Sequence, residues 1–199
     1  MTLRYDLRLD TAPANQPVTL AEQKTHSRIT TSADDTYIGN LIIAATNIAE
    51  AELQRRLVTQ TWTLFLDQFP CDVEIEIPYP PLQSVTYVKY KDLSGSLTAL
   101  TVSDDYVVDV VREPGRVRMS PSTTQWPTVQ WNAIQEVEIK FVCGYGAAAA
   151  VPGDIKQAIM MIAGHLYEHR EDVLVGASVT ELPQASKYLL HPWKIYRIV

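Results

Sequence analysis

Five consecutive residues, His165-Leu166-Tyr167-Glu168-His169, have types and a spacing that could do chemistry, because they match the H-x-x-E-H pattern of the inverted zinc peptidases. Two histidines four positions apart lie on one face of a helix and could bind zinc, with Glu168 as the general base. A third protein ligand would be needed, and the sequence offers only a distant acid such as Glu181. The stretch therefore gives one functional hypothesis, a small zinc metallohydrolase that uses residues 165–169.

The alternative is that the same five residues form the polar end of a helix. A short pattern that fits any helix is often matched by chance, so this alternative is favoured. No G-x-S-x-G pattern indicates a serine hydrolase, and Gly144-x-Gly146 lacks the remaining glycine and the lysine of a phosphate-binding loop. We therefore predict no catalytic residue, no metal and no cofactor.

Composition restricts the class of protein. Of the 199 residues, 46% are hydrophobic and 20% are charged, which is typical of a globular chain with one sizeable core or two small ones. The net charge of −6 argues against a general nucleic-acid binder. No apolar run approaches the roughly 20 residues of a membrane span, and the first residues lack the apolar core of a signal peptide. We expect Cys71 and Cys143 to be reduced and mostly buried.

The histidines belong to a helix predicted over Pro152 to Asp172. Pro152 and Gly153 break the preceding chain, and Asp154 can cap the free amides of the first turn or complement the helix dipole. The helix has a main and a lesser apolar stripe, and the residues predicted to pack it in the subunit are Ile155, Ile159, Met160, Ile162, Gly164, Leu166 and Tyr167. A lesser stripe indicates either a second partner or burial of the whole helix in its own domain, and the pattern leaves both open.

Two helices are predicted nearer the start of the chain. Thr19 and Glu22 match a capping box, which predicts a short helix to about Arg28. A second helix, capped by Ser32 or Asp34, has its apolar residues on one face and should run to about Leu57. The residues before them, 2–10, alternate weakly and are typical of a short strand or an arm.

The pattern changes from helical to alternating at Val58. About seven or eight short strands follow, up to Cys143, and their spacing predicts a small antiparallel sandwich or barrel. The predicted fold class is α+β, with a helical core of two N-terminal helices and a long C-terminal helix, into which the β structure is inserted. The predicted boundaries are 1–57 for the arm and first helices, 58–145 for the β-rich insertion, 146–184 for the central core helix and loop, and 185–199 for the tail.

The tail from Ala185 to Val199 is basic and aromatic on an otherwise acidic chain. Its basic and aromatic residues are Lys187, Tyr188, Trp193, Lys194, Tyr196 and Arg197, and it contains no acid. Such a segment is typical of an interface anchor, and Pro192 prevents one long helix. We predict a docking arm that becomes ordered on contact with a partner; packing of the tail on its own domain is the alternative.

Several stretches, in their order and spacing, resemble the phage head–tail connector proteins, the adaptors beneath the portal in long-tailed phages and gene transfer agents. The resemblance runs from about Gln16 to Glu171. Its motifs are PVTLAE (17–22), TQTWTL (59–64), IPYPPLQSV (77–85), YVVD (106–109), WP (126–127) and FVCGYG (141–146), followed by residues 152–171. The segment 25–28 departs from the family, where a more apolar first helix is expected.

The resemblance implies a structural role without chemistry. Proteins of this family form rings of about twelve mainly helical subunits, which need two different contact patches on each subunit. The implied partners are copies of itself, the portal protein, a stopper or tail-side connector protein, and double-stranded DNA that passes through the channel without sequence-specific binding; no membrane is implied. The implied location is the neck of a virion or phage-like particle, and the host cytoplasm during assembly. The acidic balance suits a conduit, because a channel that bound phosphates tightly would slow passage.

Overall fold

Strand-forming residues between Gln60 and Cys143, with a strand at the start of the chain, build two antiparallel sheets. The computed structural model describes residues 4–130, 133–169 and 184–195. The first sheet contains, in spatial order, β1 (Asp6–Thr11), β2 (Gln60–Leu66), β8 (Val137–Cys143), β4 (Leu82–Lys91) and β5 (Leu97–Ala99). The second contains β3 (Glu74–Glu76), β7 (Arg116–Met119) and β6 (Tyr106–Asp109).

Alternation of apolar and polar residues gives the two sheets a common core. Successive side chains on a strand point to opposite faces, and in β8 every second residue from Val137 to Cys143 is buried. Side chains from both sheets meet in one cluster, whose members are Leu64, Leu66, Phe69, Ile75, Ile77, Leu82, Val88, Tyr106, Val117, Trp126, Val137, Ile139, Phe141 and Cys143. The sheets therefore form one packed unit.

The first strand belongs to this unit, although the sequence boundaries group residues 1–57 with the helices. β1 pairs antiparallel with β2, so that Leu7 lies opposite Leu64. The unit of sheets comprises Met1–Pro13 and Thr59–Tyr145. Sequence periodicity does not show this, because the partners of β1 lie 50 or more positions further along the chain.

Asp10 at the end of β1 holds that strand to its neighbours. The Thr63 hydroxyl donates to the Asp10 carboxylate at 2.6 Å, and the Lys140 ammonium lies 3.1 Å from the same oxygen. Arg8 binds the other oxygen at 2.9 Å. Burial raises the pKa of Asp10, but the hydrogen bonds from Thr63, Arg8 and Lys140 outweigh it and lower the pKa to about 2. The carboxylate is therefore charged when it joins β1 to β2 and β8.

The second unit, Ala14–Val58 and Gly146–Val199, is built from helices. They are α1 (Leu20–His26), α2 (Asp35–Leu53), α3 (Gly153–Glu168) and α4 (Gln184–Leu190), with 3-10 turns at Ala148–Ala150 and His191–Trp193. α2 and α3 pack against each other. The residues that they bury are Ile38, Ile42, Ala45, Thr46, Ala49, Glu50 and Leu53 of α2, and Ile155, Ala158, Ile159, Ile162 and Ala163 of α3.

The capping box of α1 is confirmed. The Glu22 amide donates to the Thr19 hydroxyl at 3.2 Å, and the Thr19 amide donates to the Glu22 carboxylate at 2.7 Å. Lys156 of α3 binds the other carboxylate oxygen of Glu22 at 2.7 Å. The Lys156 ammonium and the Thr19 amide lower the pKa of Glu22 to about 2. One carboxylate therefore caps α1 and ties it to α3.

The second helix ends at Leu53, so the prediction that it continues to Leu57 is wrong. Gln54 adopts a left-handed conformation with φ of 56°. The Leu57 amide then donates to the Glu50 carboxylate at 2.8 Å, and Arg56 donates to it at 2.9 Å. Burial raises the pKa of Glu50. The Glu50 side chain, which belongs to the helix, thus supplies the acceptor for the Leu57 amide, which lies beyond the end of the helix.

The end of α3 and the exposure of Cys71 also differ from the predictions. α3 starts after Pro152 without a side-chain cap, but Asp154 lies in its first turn, where it complements the helix dipole as the second alternative predicted. The helix ends at Glu168; the predicted end, Asp172, lies outside the described residues. Cys71 is exposed, whereas Cys143 is buried as predicted. Among the helices of the described ranges, we find none with the length and hydropathy needed to cross a membrane.

Candidate assembly surfaces

The lesser stripe of α3 faces α1 and the turn before α2, within the helical unit. The Met160 carbonyl accepts from the Gln23 side-chain amide at 3.2 Å. A Cβ added at Gly164 would lie 3.6 Å from the Ser27 hydroxyl. The Tyr167 hydroxyl donates to Asp34 at 2.7 Å, and the ring centroids of Tyr167 and Tyr37 are 6.2 Å apart. These contacts agree with the second of the two alternatives, packing of the helix within its own domain.

The main stripe of α3 lies in the core of the helical unit. Ile155 and Ile159 are fully buried and Ile162 is 1% exposed. Leu166, near the end of the helix, is half-buried. These side chains hold the unit together rather than forming an open surface.

The described part of the tail, residues 185–195, packs on the helical unit, which is the second of the two alternatives for this segment. Ser186 and Leu190 of α4 are buried. The Arg55 guanidinium donates to the Trp193 carbonyl at 2.6 Å, and the Ile195 amide donates to the Leu53 carbonyl at 3.2 Å.

Lys194 also binds Glu52 of α2 at 2.7 Å. The backbone contact of Ile195 to Leu53 agrees with packing on the helical unit, and docking on a partner stays a prediction. Tyr196 and Arg197, two of the six predicted docking residues, lie outside the described residues.

Two of the predicted docking residues are accessible on α4. Tyr188 is 74% exposed, and Lys187 next to it is also exposed. Of the two, the tyrosine ring is the type of side chain that is enriched at protein interfaces. Composition alone identified this pair, but it did not show that Trp193 is half-buried against the same unit.

His165 and His169 lie on the last turn of α3 and its C-cap. Their ring centroids are 4.5 Å apart, and His169 Nδ1 is 3.1 Å from the His165 carbonyl oxygen. Within the described ranges, no three His, Cys, Asp or Glu side chains are placed to hold a metal ion. Glu181, the third ligand of the zinc hypothesis, lies outside those ranges. The described geometry thus provides two histidines and no third ligand for such a site.

The unit of sheets carries a groove of about 390 Å³ that the sequence patterns do not predict. Its floor is the Phe69–Trp126 pair, whose rings stack with centroids 5.0 Å apart. The lining residues are Gln68, Phe69, Pro70, Cys71, Val73, Met119, Thr124, Gln125, Trp126, Pro127, Thr128, Val129 and Gln130. The groove was not predictable because its two walls lie far apart in the chain, in segments without periodicity.

The described residues define a protein with one unit of antiparallel sheets and one unit of helices, with surfaces suited to protein partners. The sequence profile of the head completion protein family matches residues 17–195. The chain belongs to this family, which confirms the resemblance to the head–tail connector proteins of phages and gene transfer agents. A search of curated proteins found no match.

Solved structures of gene transfer agent particles contain chains with this fold. A chain in the neck of an empty gene transfer agent particle, computed with C6 symmetry, is 25% identical, with 98% of this chain and 97% of that chain covered and a TM-score of 0.78. A chain of the virion of a native gene transfer agent particle is 24% identical, with 97% of each chain covered and a TM-score of 0.77.

A third chain, from the neck of a native particle computed with C12 symmetry, is 22% identical, with 98% and 97% covered and a TM-score of 0.76. The predicted combination of helices with antiparallel sheets is confirmed. Family and fold together make the chain a structural head–tail connector protein.

Proposed function

We propose that this chain is the subunit of a ring beneath the portal that joins the capsid to the stopper or tail and lines the channel for double-stranded DNA. The observation that carries the proposal is the family match over residues 17–195. The likeness to a neck chain at 25% identity supports the same place in a particle. The role is structural, and its chemistry is that of protein–protein contact.

The ring has twelve subunits in this proposal. The neck structures with this fold were computed with C6 and C12 symmetry, and twelve copies satisfy both. A cyclic ring needs two different patches on each subunit, one for each neighbour. The partners are further copies of the chain, the portal protein, a stopper or tail-side connector protein, and DNA in the channel; assembly takes place in the host cytoplasm and no membrane is involved.

The two units have different parts in the proposal. The helical unit is the connector core, and the β structure of residues 58–145 is an insertion in it, completed by β1 from the start of the chain. The portal contact is made by the tail, with Tyr188 and Lys187 as its accessible anchors on α4. Trp193 and Lys194 support these anchors through their contacts to Arg55 and Glu52.

Native mass spectrometry of the full chain, with and without the portal protein of the same particle, tests the proposal. We expect a complex of twelve copies of this chain with the portal, at a mass that fixes the stoichiometry. The portal alone, and the chain mixed with an unrelated ring protein, are the controls. A chain that never joins the portal, or particles that complete their necks without it, would overturn the proposal.

A further inference from the structure

We propose that the loop between β6 and β7 of one copy inserts its apolar tip into the groove beside Trp126 of a second copy of this chain. This inference rests on the proposed ring, because it assigns the two patches through which neighbouring subunits meet. Both patches belong to the unit of sheets and consist of described residues.

The tip of the loop is an exposed apolar group. Val111 is 90% exposed and Val110 before it is 43% exposed. The Asp109 carboxylate accepts from the amides of Val111 at 3.1 Å and Arg112 at 3.2 Å. These two hydrogen bonds hold the tip in one conformation, so little conformational freedom is lost when it binds.

The base of the loop is held by ion pairs. Arg116 binds Asp109 at 3.1 Å and Glu74 at 2.7 Å, and Arg112 lies 3.4 Å from Glu74. The Gly115 carbonyl accepts from the Ile77 amide at 2.8 Å. The tip is therefore a small apolar projection above a base of ion pairs, with the exposed Glu113 beside it.

The groove is lined by aromatic, apolar and uncharged polar side chains. Its described lining has no charged side chain, so an apolar group can enter without desolvating a charge. The Trp126 indole N–H donates to the Asp72 carbonyl at 2.9 Å, which fixes the ring that forms the floor. Val73 on its wall is 46% exposed. The volume of about 390 Å³ falls in the range of about 300–1,000 Å³ that is usual for binding pockets.

The positions of the two patches determine the kind of contact. Asp109 pairs with Arg116 at one end of the three-stranded sheet, where the loop begins, and Tyr106 pairs with Met119 at the other end. Met119 lines the groove. Four-residue strands separate the two ends by roughly 10–13 Å, so the tip and the groove are two different patches of one subunit. Two different patches at opposite ends give a head-to-tail contact, which repeats around a ring.

Disulfide cross-linking of the full chain in its assembled form tests the inference. Cys71 is exposed and lines the groove, so Val111→Cys places a thiol on the tip that should lie beside Cys71 of the next copy. Diamide takes two electrons and two protons from the two thiols and joins them, which requires Cα atoms within about 7 Å. We expect a ladder of covalent multimers under denaturing, non-reducing electrophoresis, reversed by dithiothreitol.

Three matched chains control the ladder. The natural sequence, Val111→Cys with Cys71→Ser, and Leu93→Cys, whose position on another loop is 65% exposed, should give no ladder. In a second measurement, Val111→Asp should reduce the fraction of chain in rings about tenfold while its thermal unfolding stays unchanged. Val111→Leu, which keeps the tip apolar, should assemble normally.

The outcomes separate this inference from the proposed ring. Two results would overturn the inference and leave the proposed ring in place. In the first, rings of the expected mass form, but the thiol introduced at position 111 makes no link to Cys71. In the second, rings form normally with Val111→Asp. A link from the introduced thiol to another particle protein also overturns the inference. Absence of multimers of the natural chain, both in solution and with the portal, overturns the proposed function and the inference together.

Discussion

At the scale of single residues, buried carboxylates hold parts of this chain that its periodicity does not explain. Glu50 accepts the Leu57 amide at 2.8 Å and binds Arg56 at 2.9 Å, where the chain leaves α2. Asp10 joins β1 to the neighbouring strands of its sheet, through Thr63 of β2 and Lys140 of β8. Little of either carboxylate side chain reaches solvent, so its effect on stability should be measurable.

Replacement of Glu50 should separate its role as an acceptor from its charge. Glu50→Ala leaves the buried Leu57 amide without this acceptor and should lower the free energy of unfolding by about 2–3 kcal/mol. Glu50→Gln keeps a carbonyl oxygen for the same amide and should cost clearly less. Thermal unfolding of both variants gives the comparison; equal losses would show that the amide contact has little energetic weight.

Asp10 should make stability depend on pH in the acid range. The pKa of Asp10 is about 2 in the folded chain, against an ordinary value of 3.8. The stability that its charge contributes is therefore complete above pH 3.8 and is lost as the pH falls through about 2. Asp10→Asn should therefore be less stable than the natural chain by about 1–2 kcal/mol at neutral pH, and the difference should shrink below about pH 4.

Urea unfolding between about pH 2 and 7 measures this difference for Asp10. Asp104→Asn, at an exposed position outside the strands, is the control and should follow the natural chain. A gap between Asp10→Asn and the natural chain that stays constant over this range would contradict the assignment.

At the scale of elements, the packing of α1 on α3 can be tested at one glycine. A Cβ at Gly164 would meet Ser27 Oγ at 3.6 Å and Gln23 Nε2 at 3.8 Å, which are ordinary contacts. Gly164→Ala should therefore stabilise the helical unit by up to about 1 kcal/mol through helix propensity. Gly164→Leu should destabilise it by about 1–3 kcal/mol, since its extra atoms must displace α1. Melting temperatures that change in the same direction for Gly164→Ala and Gly164→Leu would show that α1 does not pack closely against Gly164.

The tail on α4 should contribute to portal binding through Tyr188. Removal of residues 185–199 would also remove contacts of Trp193 and Ile195 to the helical unit, so truncation should destabilise the chain as well. Tyr188→Ala removes a ring that is 74% exposed and should leave unfolding unchanged. It should weaken portal binding by about 2 kcal/mol per subunit if the ring is a hot spot.

Gln184→Ala, at an exposed position of the same helix, is the matched control for portal binding measured by calorimetry. Equal affinities of the Tyr188→Ala, Gln184→Ala and natural chains for the portal would show that another surface makes the portal contact.

Local patterns predicted the elements better than they predicted the contacts between them. The capping box of α1 and the alternation of β8 depend on neighbours within a few residues, and both were predictable. The end of α2 was not, because a left-handed Gln54 and the reach of Glu50 to Leu57 leave no periodic signal. Tail residues were identified by composition, whereas their packing on α2 and the turn after it depends on residues far away in the chain.

At the scale of the whole molecule, we propose that the helical unit folds without the unit of sheets. A chain without residues 1–13 and 59–145, with Val58 joined to Gly146 through a glycine–serine linker, retains α1, α2 and α3. It should keep an α-helical circular dichroism spectrum and melt cooperatively, because the buried residues of α2 and α3 are all present. The same chain with Ile42→Asp should not melt cooperatively. Loss of helical signal in the first chain would contradict the separation.

The central place of β8 has a consequence for the order of events during synthesis. β8 lies between β2 and β4, yet it is the last strand of its sheet to be made. About 70 residues separate the end of β2 from β8, so a ribosome adding about 5–20 residues per second needs about 4–14 s to supply it. Until then β1 with β2, and β4 with β5, can exist only as two separate pairs with open edges on β2 and β4. Such edges readily pair with other chains, so nascent chains that stall before Val137 should be the ones that chaperones hold.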